Sequence, residues 1–424
     1  MADRQRIVIL GGGFAGVNVA RHLAKSARND DEIILLSSSK MHTFTPWLYE
    51  IAAARADEHG KQEKRSMAKT SDISLDFLKP RVAIREVKIA GLDLQHEHVL
   101  IEDGKTVRYD ALVIALGSEM AYFGIPGLQK FALTLKTTSD ALAIRRKIAE
   151  LVADLRRGDK SELKIVIGGA GPSGVELAAE IATMFTGLER RREIAKNIVS
   201  ITLVDGGERV LGMMTSKISR LAEHRLRVLG VKVILRARIN EVKVGEVLIK
   251  APSSSPIAGG EFTVLPSDCT IWTGGVQPAA VLKNFALPKD PRGRILVEST
   301  FEVQKQANIF ALGDAAMFVD EVTKQPLPQT AQAAENVAPV VAGNVLRALR
   351  RTKLEAYKAR KQWPYSIAVG GNYALLGYGN LVLSGWLGYV IRRLVDLRYF
   401  LNLLPLATAV KFWVRGVLKY RKND

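Results

Sequence analysis

Two strand, glycine-turn, helix patterns, one opening the chain and one starting at Leu163, and a basic C-terminus with helical periodicity predict the fold class. It is α/β: two Rossmann-like dinucleotide-binding domains followed by a C-terminal helical segment. The 424-residue chain is 47% hydrophobic and 25% charged, which leaves room for two or three domains and excludes a disordered, collagenous or coiled-coil protein.

The first pattern is a strand at Arg6–Leu10, then Gly11-Gly12-Gly13-Phe14-Ala15-Gly16, then an amphipathic helix to about Ala27. Each glycine has its own task. Gly11 permits the tight turn, Gly13 lets the backbone approach a pyrophosphate at the helix N-terminus, and Gly16 lets helix pack on strand. The following strand, Glu32–Leu36, would be expected to end in an acid that binds an adenosine ribose, but it ends in Ser37-Ser38-Ser39. The Ser37 hydroxyl offers a weaker, uncharged bond to the ribose.

The second pattern is a strand at Leu163–Ile167, then Gly169-Ala170-Gly171-Pro172-Ser173-Gly174 and a helix from near Val175. Its next strand, Ile201–Val204, does end in an acid, Asp205. A carboxylate there accepts ribose hydroxyls and repels a 2′-phosphate, so this site is expected to prefer NADH to NADPH, with Arg209 four residues on weakening that preference. Two such sites imply two dinucleotides, and the economical pair is FAD with NADH. The hydrophobic runs Tyr109–Ser118 and Asn308–Ala316 end in small residues, and bring Ala115, Gly117 and Asp314 to the end of a sheet.

The net charge is +18, and residues 345–424 carry +12 of it. A basic terminus suggests an anionic partner, nucleic acid or a membrane surface. The uncharged stretch from Gln362 to Ile391 is rich in glycine and reads as short strands, Tyr365–Val369 and Leu381–Leu383, better than as a membrane-spanning helix. Two helices are expected next, Trp386–Leu403 and Leu406–Tyr420, separated by Pro405. In the second, Leu406, Val410, Trp413, Val417 and Tyr420 fall on one face, opposite Lys411, Arg415, Lys419 and Lys422. That pattern suits a helix lying on an anionic membrane. Nucleic acid is disfavoured, because no recognition motif accompanies the charge. Six mostly polar residues precede Ile7 and leave no room for a secretory signal peptide, so the expected location is cytoplasmic. The single cysteine, Cys269, excludes an internal disulfide and a redox cysteine pair, and the six histidines form no metal-ligand pattern.

Taken together, these segments resemble the two-dinucleotide-binding flavoproteins of the pyridine nucleotide-disulfide reductase superfamily, across nearly the whole chain. Within it the closest resemblance is to type II NADH dehydrogenases, single-subunit and non-pumping NADH:quinone oxidoreductases. His42-Thr-Phe-Thr-Pro46-Trp-Leu-Tyr-Glu50, Phe123–Gly127, Gly174-Val-Glu176 and Ile271–Val276 carry that likeness. So does Ala331-Gln332-Ala333-Ala334-Glu335-Asn336, in which asparagine replaces the second glutamine of the family's quinone signature.

The resemblance implies FAD at Gly11, Gly13, Phe14, Ala15, Gly16, Ser37, Ala115, Gly117 and Ala331, with Asp314 on the ribityl chain and Thr45 and Pro46 against the ring. It implies NADH at Gly169, Gly171, Pro172, Ser173, Gly174, Asp205 and Gly275. Glu176 would relay a proton or tune hydride transfer, Gln332 and Asn336 would meet the quinone, and no metal is involved. It further implies a peripheral location on the cytoplasmic face of the cell membrane, and a homodimer. The expected domains are 1–124 with 289–344 for FAD, 125–288 for NADH and 345–424 for the C-terminal strands and helices. Two alternatives stay open: a soluble NADH-dependent reductase of a protein electron carrier, and an NADH-binding redox sensor.

Overall fold

The computed structural model describes residues 4–55, 70–250, 262–320 and 324–420. The stretch Ala251–Gly260 and most of the charged stretch Arg55–Ser74, expected as a hairpin loop and as a loop with a helix, lie outside the described residues. The chain forms two compact units, each discontinuous in sequence. One comprises residues 1–43, 72–119 and 276–361, the other 44–71, 120–275 and 362–424. The segment 44–71, which the motifs kept with the first domain, and residues 362–424, which they set apart, both belong to the second unit.

Each unit is built on a five-stranded parallel sheet. In the first, the spatial order is Ile309–Ala311, Ala111–Ile114, Arg6–Leu10, Glu32–Ser37, Val82–Glu86. In the second it is Leu133–Thr134, Cys269–Trp272, Leu163–Gly168, Val199–Val204, Val231–Ile234. The glycine-turn strand is central both times, between the strand that follows it and a later one that returns on its other side. That flank is the switch point at which a doubly wound sheet opens a crevice for ligands. Burial on both faces explains the continuous apolar runs: Ile7, Val8, Ile9 and Leu10 are wholly buried, as are Leu163, Ile165 and Ile167.

In the first unit the helix Phe14–Ser26 packs against the helix Ala331–Leu349. The latter begins at Thr330, whose side chain accepts from the Ala333 N–H. In the second unit a three-stranded antiparallel sheet, Arg238–Lys243, Glu246–Lys250 and Phe262–Pro266, seals one end of the parallel sheet. Its core is Ile239, Val242, Val247 and Ile249 on Val166, Val204 and Trp272. A second antiparallel sheet, Tyr365–Ala368, Ala374–Tyr378 and Leu381–Gly385, leads into the helices Trp386–Leu403 and Leu406–Tyr420. No helix among the described residues is long and apolar enough to cross a membrane.

One expectation about the last helix fails. Trp413 does not share the outer face: its indole N–H donates to the Arg393 carbonyl at 2.8 Å, and Ala409 and Gly416 are buried on the same side. Gly416 lies so close to Trp47 that a Cβ would overlap the indole. The buried side is lined by Phe44, Trp47, Tyr399, Phe400 and Phe412, with ring centroids 4.7–6.0 Å apart. The outer apolar face is Leu406, Val410, Val414 and Leu418, with Lys411 and Arg415 exposed beside it. A tryptophan with a carbonyl to bond packs inward beside the small residues Ala409 and Gly416, while an i, i+4 aliphatic stripe stays outside.

Candidate functional site

The two glycine turns repeat one steric design. In the first unit Gly11 has φ +107°, and a Cβ on it would overlap the Ala115 carbonyl. A Cβ on Gly16 would overlap the Gly11 carbonyl, which is the close helix-on-strand contact, whereas Gly13 faces open space. In the second unit Gly169 has φ +100° and packs on Gly274. Gly174 packs on the Gly169 carbonyl, and Gly171 is open. Two glycines are therefore required by the protein itself, and the middle one leaves room for a ligand above the first N–H groups of the helix. A dinucleotide pyrophosphate fits both cradles.

Around the first turn, Phe14 and Ala15 begin the helix, and His42 lies behind the loop. The His42 ring is wholly buried, edge-on to Phe14 at 4.8 Å, with Nδ1 3.1 Å from the Gly12 carbonyl. Burial lowers its pKa to about 4, so the imidazole is neutral and Nδ1–H donates. Ser37 is buried, and its Oγ is 2.8 Å from where a Cβ on Gly12 would fall. The strand end Ala115–Gly117 leads to Ser118, whose hydroxyl donates to Asp314 Oδ2 at 2.5 Å. This fixes Asp314 at the start of the turn Gly313–Ala315. Ala331 and Gln332 open the helix Ala331–Leu349, both partly buried. Asn336, one turn on, faces the Tyr357 hydroxyl at 2.6 Å and, with its amide oxygen turned outward, the Arg360 guanidinium at 3.0 Å. These first-unit residues lie around one sheet end, but the Asn336 amide is engaged by its own helix's neighbours.

In the second unit Pro172 and Ser173 form the exposed first turn of the helix Pro172–Arg190. Asp205 braces the glycine turn: Oδ2 accepts from the Ala170 N–H at 2.7 Å and Oδ1 from the Gly207 N–H at 2.6 Å. Gly275 follows the return strand with φ +154°, close to the Phe123 ring. Cys269 is buried within that strand, and burial pushes its thiol up to about 12, so it is not a thiolate. Thr45 and Pro46 lie in a single turn, Thr45–Trp47, before the helix Leu48–Ala52.

Glu176 lies on the second turn of its helix rather than the first, so the helix dipole does not account for it. It belongs to a buried charge cluster that the motifs did not reveal. Arg392 Nη2 is 3.1 Å from Glu176 Oε1 and donates to the Pro46 carbonyl at 3.2 Å. Arg393 Nη2 is 2.8 Å from Glu50 Oε1, which also accepts from the Tyr49 hydroxyl at 2.7 Å. Asp396 Oδ2 accepts from the Trp47 indole at 2.9 Å and lies 3.9 Å from each guanidinium.

Three carboxylates thus face two guanidiniums, one proton short of neutrality. Burial, only partly countered by Arg392, raises Glu176 to about 7, and burial also raises Asp396. The sequence holds a signal for this cluster, since Arg392, Arg393 and Asp396 stand among the apolar residues of this helix at i, i+3 and i+4 spacing. Among the described residues no group of three or more His, Cys, Asp or Glu is placed to hold a metal ion.

Two strand, glycine-turn and helix cradles of this kind are the form of a protein that binds dinucleotides. A family model described as pyridine nucleotide-disulphide oxidoreductase matches residues 5–338, and the chain belongs to that family. It is 28% identical over 408 residues to the demethylphylloquinone reductase NdbB of Synechocystis, covering 94% of this chain and 92% of the relative. To the type II NADH:quinone oxidoreductase Ndh of Mycobacterium tuberculosis it is 26% identical over 439 residues, covering 99% and 90%. With NdhA of the same organism, also a type II NADH:quinone oxidoreductase, it shares 32% over 340 residues, covering 76% and 68%. The structure of NDH2 from Plasmodium falciparum in complex with NADH matches the fold with TM-score 0.82 at 18% identity, over 98% of both chains. Within the wider family the chain is a type II NADH:quinone oxidoreductase.

Proposed function

We propose that the chain is a non-pumping, FAD-dependent NADH:quinone oxidoreductase, peripheral to the cytoplasmic face of the cell membrane. The observation that carries this reading is the doubled cradle, in which Gly13 and Gly171 alone of each glycine set are left open. FAD, when bound, supplies the redox chemistry, accepting a hydride equivalent from NADH and returning two electrons to quinone. The protein binds and orients.

Gly11, Gly13 and Gly16, with Phe14 and Ala15, present helix N–H groups to the FAD pyrophosphate. Ser37 serves its adenosine ribose, Asp314 its ribityl hydroxyls, Ala115, Gly117 and Ala331 line its path, and Thr45 and Pro46 lie against its ring. Gly169, Gly171, Pro172, Ser173, Gly174 and Gly275 do the equivalent for NADH, and Asp205 takes its ribose. Glu176, with a pKa near 7, holds or releases a proton at its carboxyl oxygens at working pH. Gln332 positions a quinone carbonyl, with Asn336 as a second contact. The exposed stripe Leu406, Val410, Val414 and Leu418, joined by Trp386, Leu387, Ile391, Leu394 and Val395 of the preceding helix, supports docking on an anionic bilayer. A homodimer is part of the same reading.

The test is anaerobic titration of the purified full chain. NADH is expected to bleach the bound flavin's visible absorbance, and a quinone analogue to restore it at once. Flavin that NADH does not bleach, or that stays bleached with quinone present, refutes the proposal.

A further inference from the structure

The turn Tyr122–Ile125 in the second unit is built against its own side chains. Phe123 has φ +51° and Gly124 has φ +68°, and the Ile125 N–H donates to the Tyr122 carbonyl at 3.0 Å. Two positive central φ values closed by such a bond make a type I′ turn, whose first central position suits asparagine or glycine. A phenylalanine there strains the backbone, and strain of this kind gathers at positions that hold a ligand. The side chain gains little from burial, because Phe123 is 67% exposed. The tip of its ring meets Gly275, with Cζ 2.9 Å from where a Cβ on that glycine would be, and the Trp272 indole stands nearly perpendicular to it with centroids 6.3 Å apart.

The turn is tied to the second glycine cradle. The Ala121 N–H donates to the Gly275 carbonyl at 3.1 Å, and the Trp272 indole N–H donates to the Ala121 carbonyl at 2.8 Å. Next to them the Thr273 N–H and hydroxyl both donate to the Gly168 carbonyl, at 2.8 and 2.9 Å, and Gly274 is the residue on which Gly169 packs. Phe123 is therefore fixed with respect to the cradle, just past the end of the strand Cys269–Trp272. Asp205 ends the strand Val199–Val204, which lies on the other side of the central strand Leu163–Gly168. A dinucleotide with its pyrophosphate at Gly171 and its adenosine ribose at Asp205 sends its other half the opposite way, across Thr273–Gly275. That half ends in the nicotinamide, a flat ring, and an exposed aromatic side chain at the rim of its path offers an apolar surface to pack on.

We propose that Phe123 positions the hydride donor, its ring packing against the nicotinamide riboside end of NADH while the strained turn holds the ring at that place. The inference rests on the oxidoreductase reading above and adds to it a residue that lies outside both glycine motifs.

The test compares the full-length flavoenzyme with its Phe123→Ala, Phe123→Asn and Phe123→Tyr variants. Calorimetry measures binding of NAD+ and of 5′-ADP to the oxidised enzyme, where no electron transfer follows, and stopped-flow absorbance gives the NADH concentration for half-maximal flavin reduction. Phe123→Ala and Phe123→Asn are expected to weaken NAD+ binding about tenfold, to raise the half-maximal NADH concentration in step, and to leave 5′-ADP within about twofold of wild type. Phe123→Tyr keeps the ring and is expected to keep the affinity. Asparagine suits the turn, so Phe123→Asn is expected to raise the melting temperature while NAD+ binding falls, a combination that a phenylalanine kept only for packing does not give. NAD+ binding unchanged in both variants that lack the ring overturns the proposal, as does a loss shared equally by NAD+ and 5′-ADP. If NADH does not reduce the flavin of the wild type, it is the oxidoreductase reading that fails, and the NAD+ measurement still decides the role of Phe123.

Discussion

Replacing Glu176 with glutamine separates a buried acid from an ordinary ion pair. The glutamine keeps the shape of the neutral acid and cannot ionise. Burial raises the carboxyl in the folded chain to about 7 from 4.5, the Arg392 guanidinium and the Ala368 N–H pull it down, and Glu50 and Asp396 push it up. A folded-state pKa above the unfolded one means the group's contribution to stability is complete below about pH 4.5 and is lost as pH rises through about 7. The difference corresponds to about 3 kcal/mol at 1.36 kcal/mol per unit.

Urea unfolding of wild type and Glu176→Gln, followed by circular dichroism at several values between pH 5 and pH 8, reads this directly. Wild type is expected to lose up to about 3 kcal/mol relative to the variant across that range. Two results refute the reasoning. A difference that stays flat with pH means Glu176 does not titrate there. Wild type gaining on the variant as pH rises means Arg392 outweighs burial and holds a low-pKa carboxylate.

Three more outcomes follow from the same geometry. Gly13→Ala is expected to fold, because nothing lies within 4 Å of its Cβ position, but to lose flavin on gel filtration, whereas Gly11→Ala collides with the Ala115 carbonyl and is expected to lower the melting temperature of the flavin-free chain as well. Arg393→Met strands Glu50, 2% exposed, and is expected to cost about 3–5 kcal/mol in chemical denaturation, most of it recovered when Glu50→Leu is added. Leu406→Asp with Leu418→Asp, at positions 70% and 59% exposed, is expected to leave melting temperature and NADH-dependent bleaching unchanged and to abolish co-sedimentation with phosphatidylglycerol vesicles.

Much of this molecule is local in origin and was legible as such. The strand Arg6–Leu10 and the helices Trp386–Leu403 and Leu406–Tyr420 have the ends that periodicity and Pro405 require. Gly16 and Gly174 follow from sterics within six residues, against the Gly11 and Gly169 carbonyls, whereas Gly11 and Gly169 are required by Ala115 and Gly274 far along the chain. The inward face of the last helix is not local: the helix period alone puts Trp413 with Leu406 and Val410, but it cannot say which of two apolar faces turns inward. Phe400, Trp47 and the Arg393 carbonyl decide that.

The sequence by itself determined the two glycine turns, the strand and helix that flank each, and the acid at Asp205 that ends the next strand, because each depends on residues near one another along the chain. Only the tertiary structure decided that Glu50, Glu176, Arg392, Arg393 and Asp396 share one buried volume, and that residues 44–71 and 362–424 fold with the second nucleotide unit. Charges hundreds of positions apart leave no periodic trace of their meeting. Their pKa values are set by burial and by one another, quantities that exist only once the chain has folded.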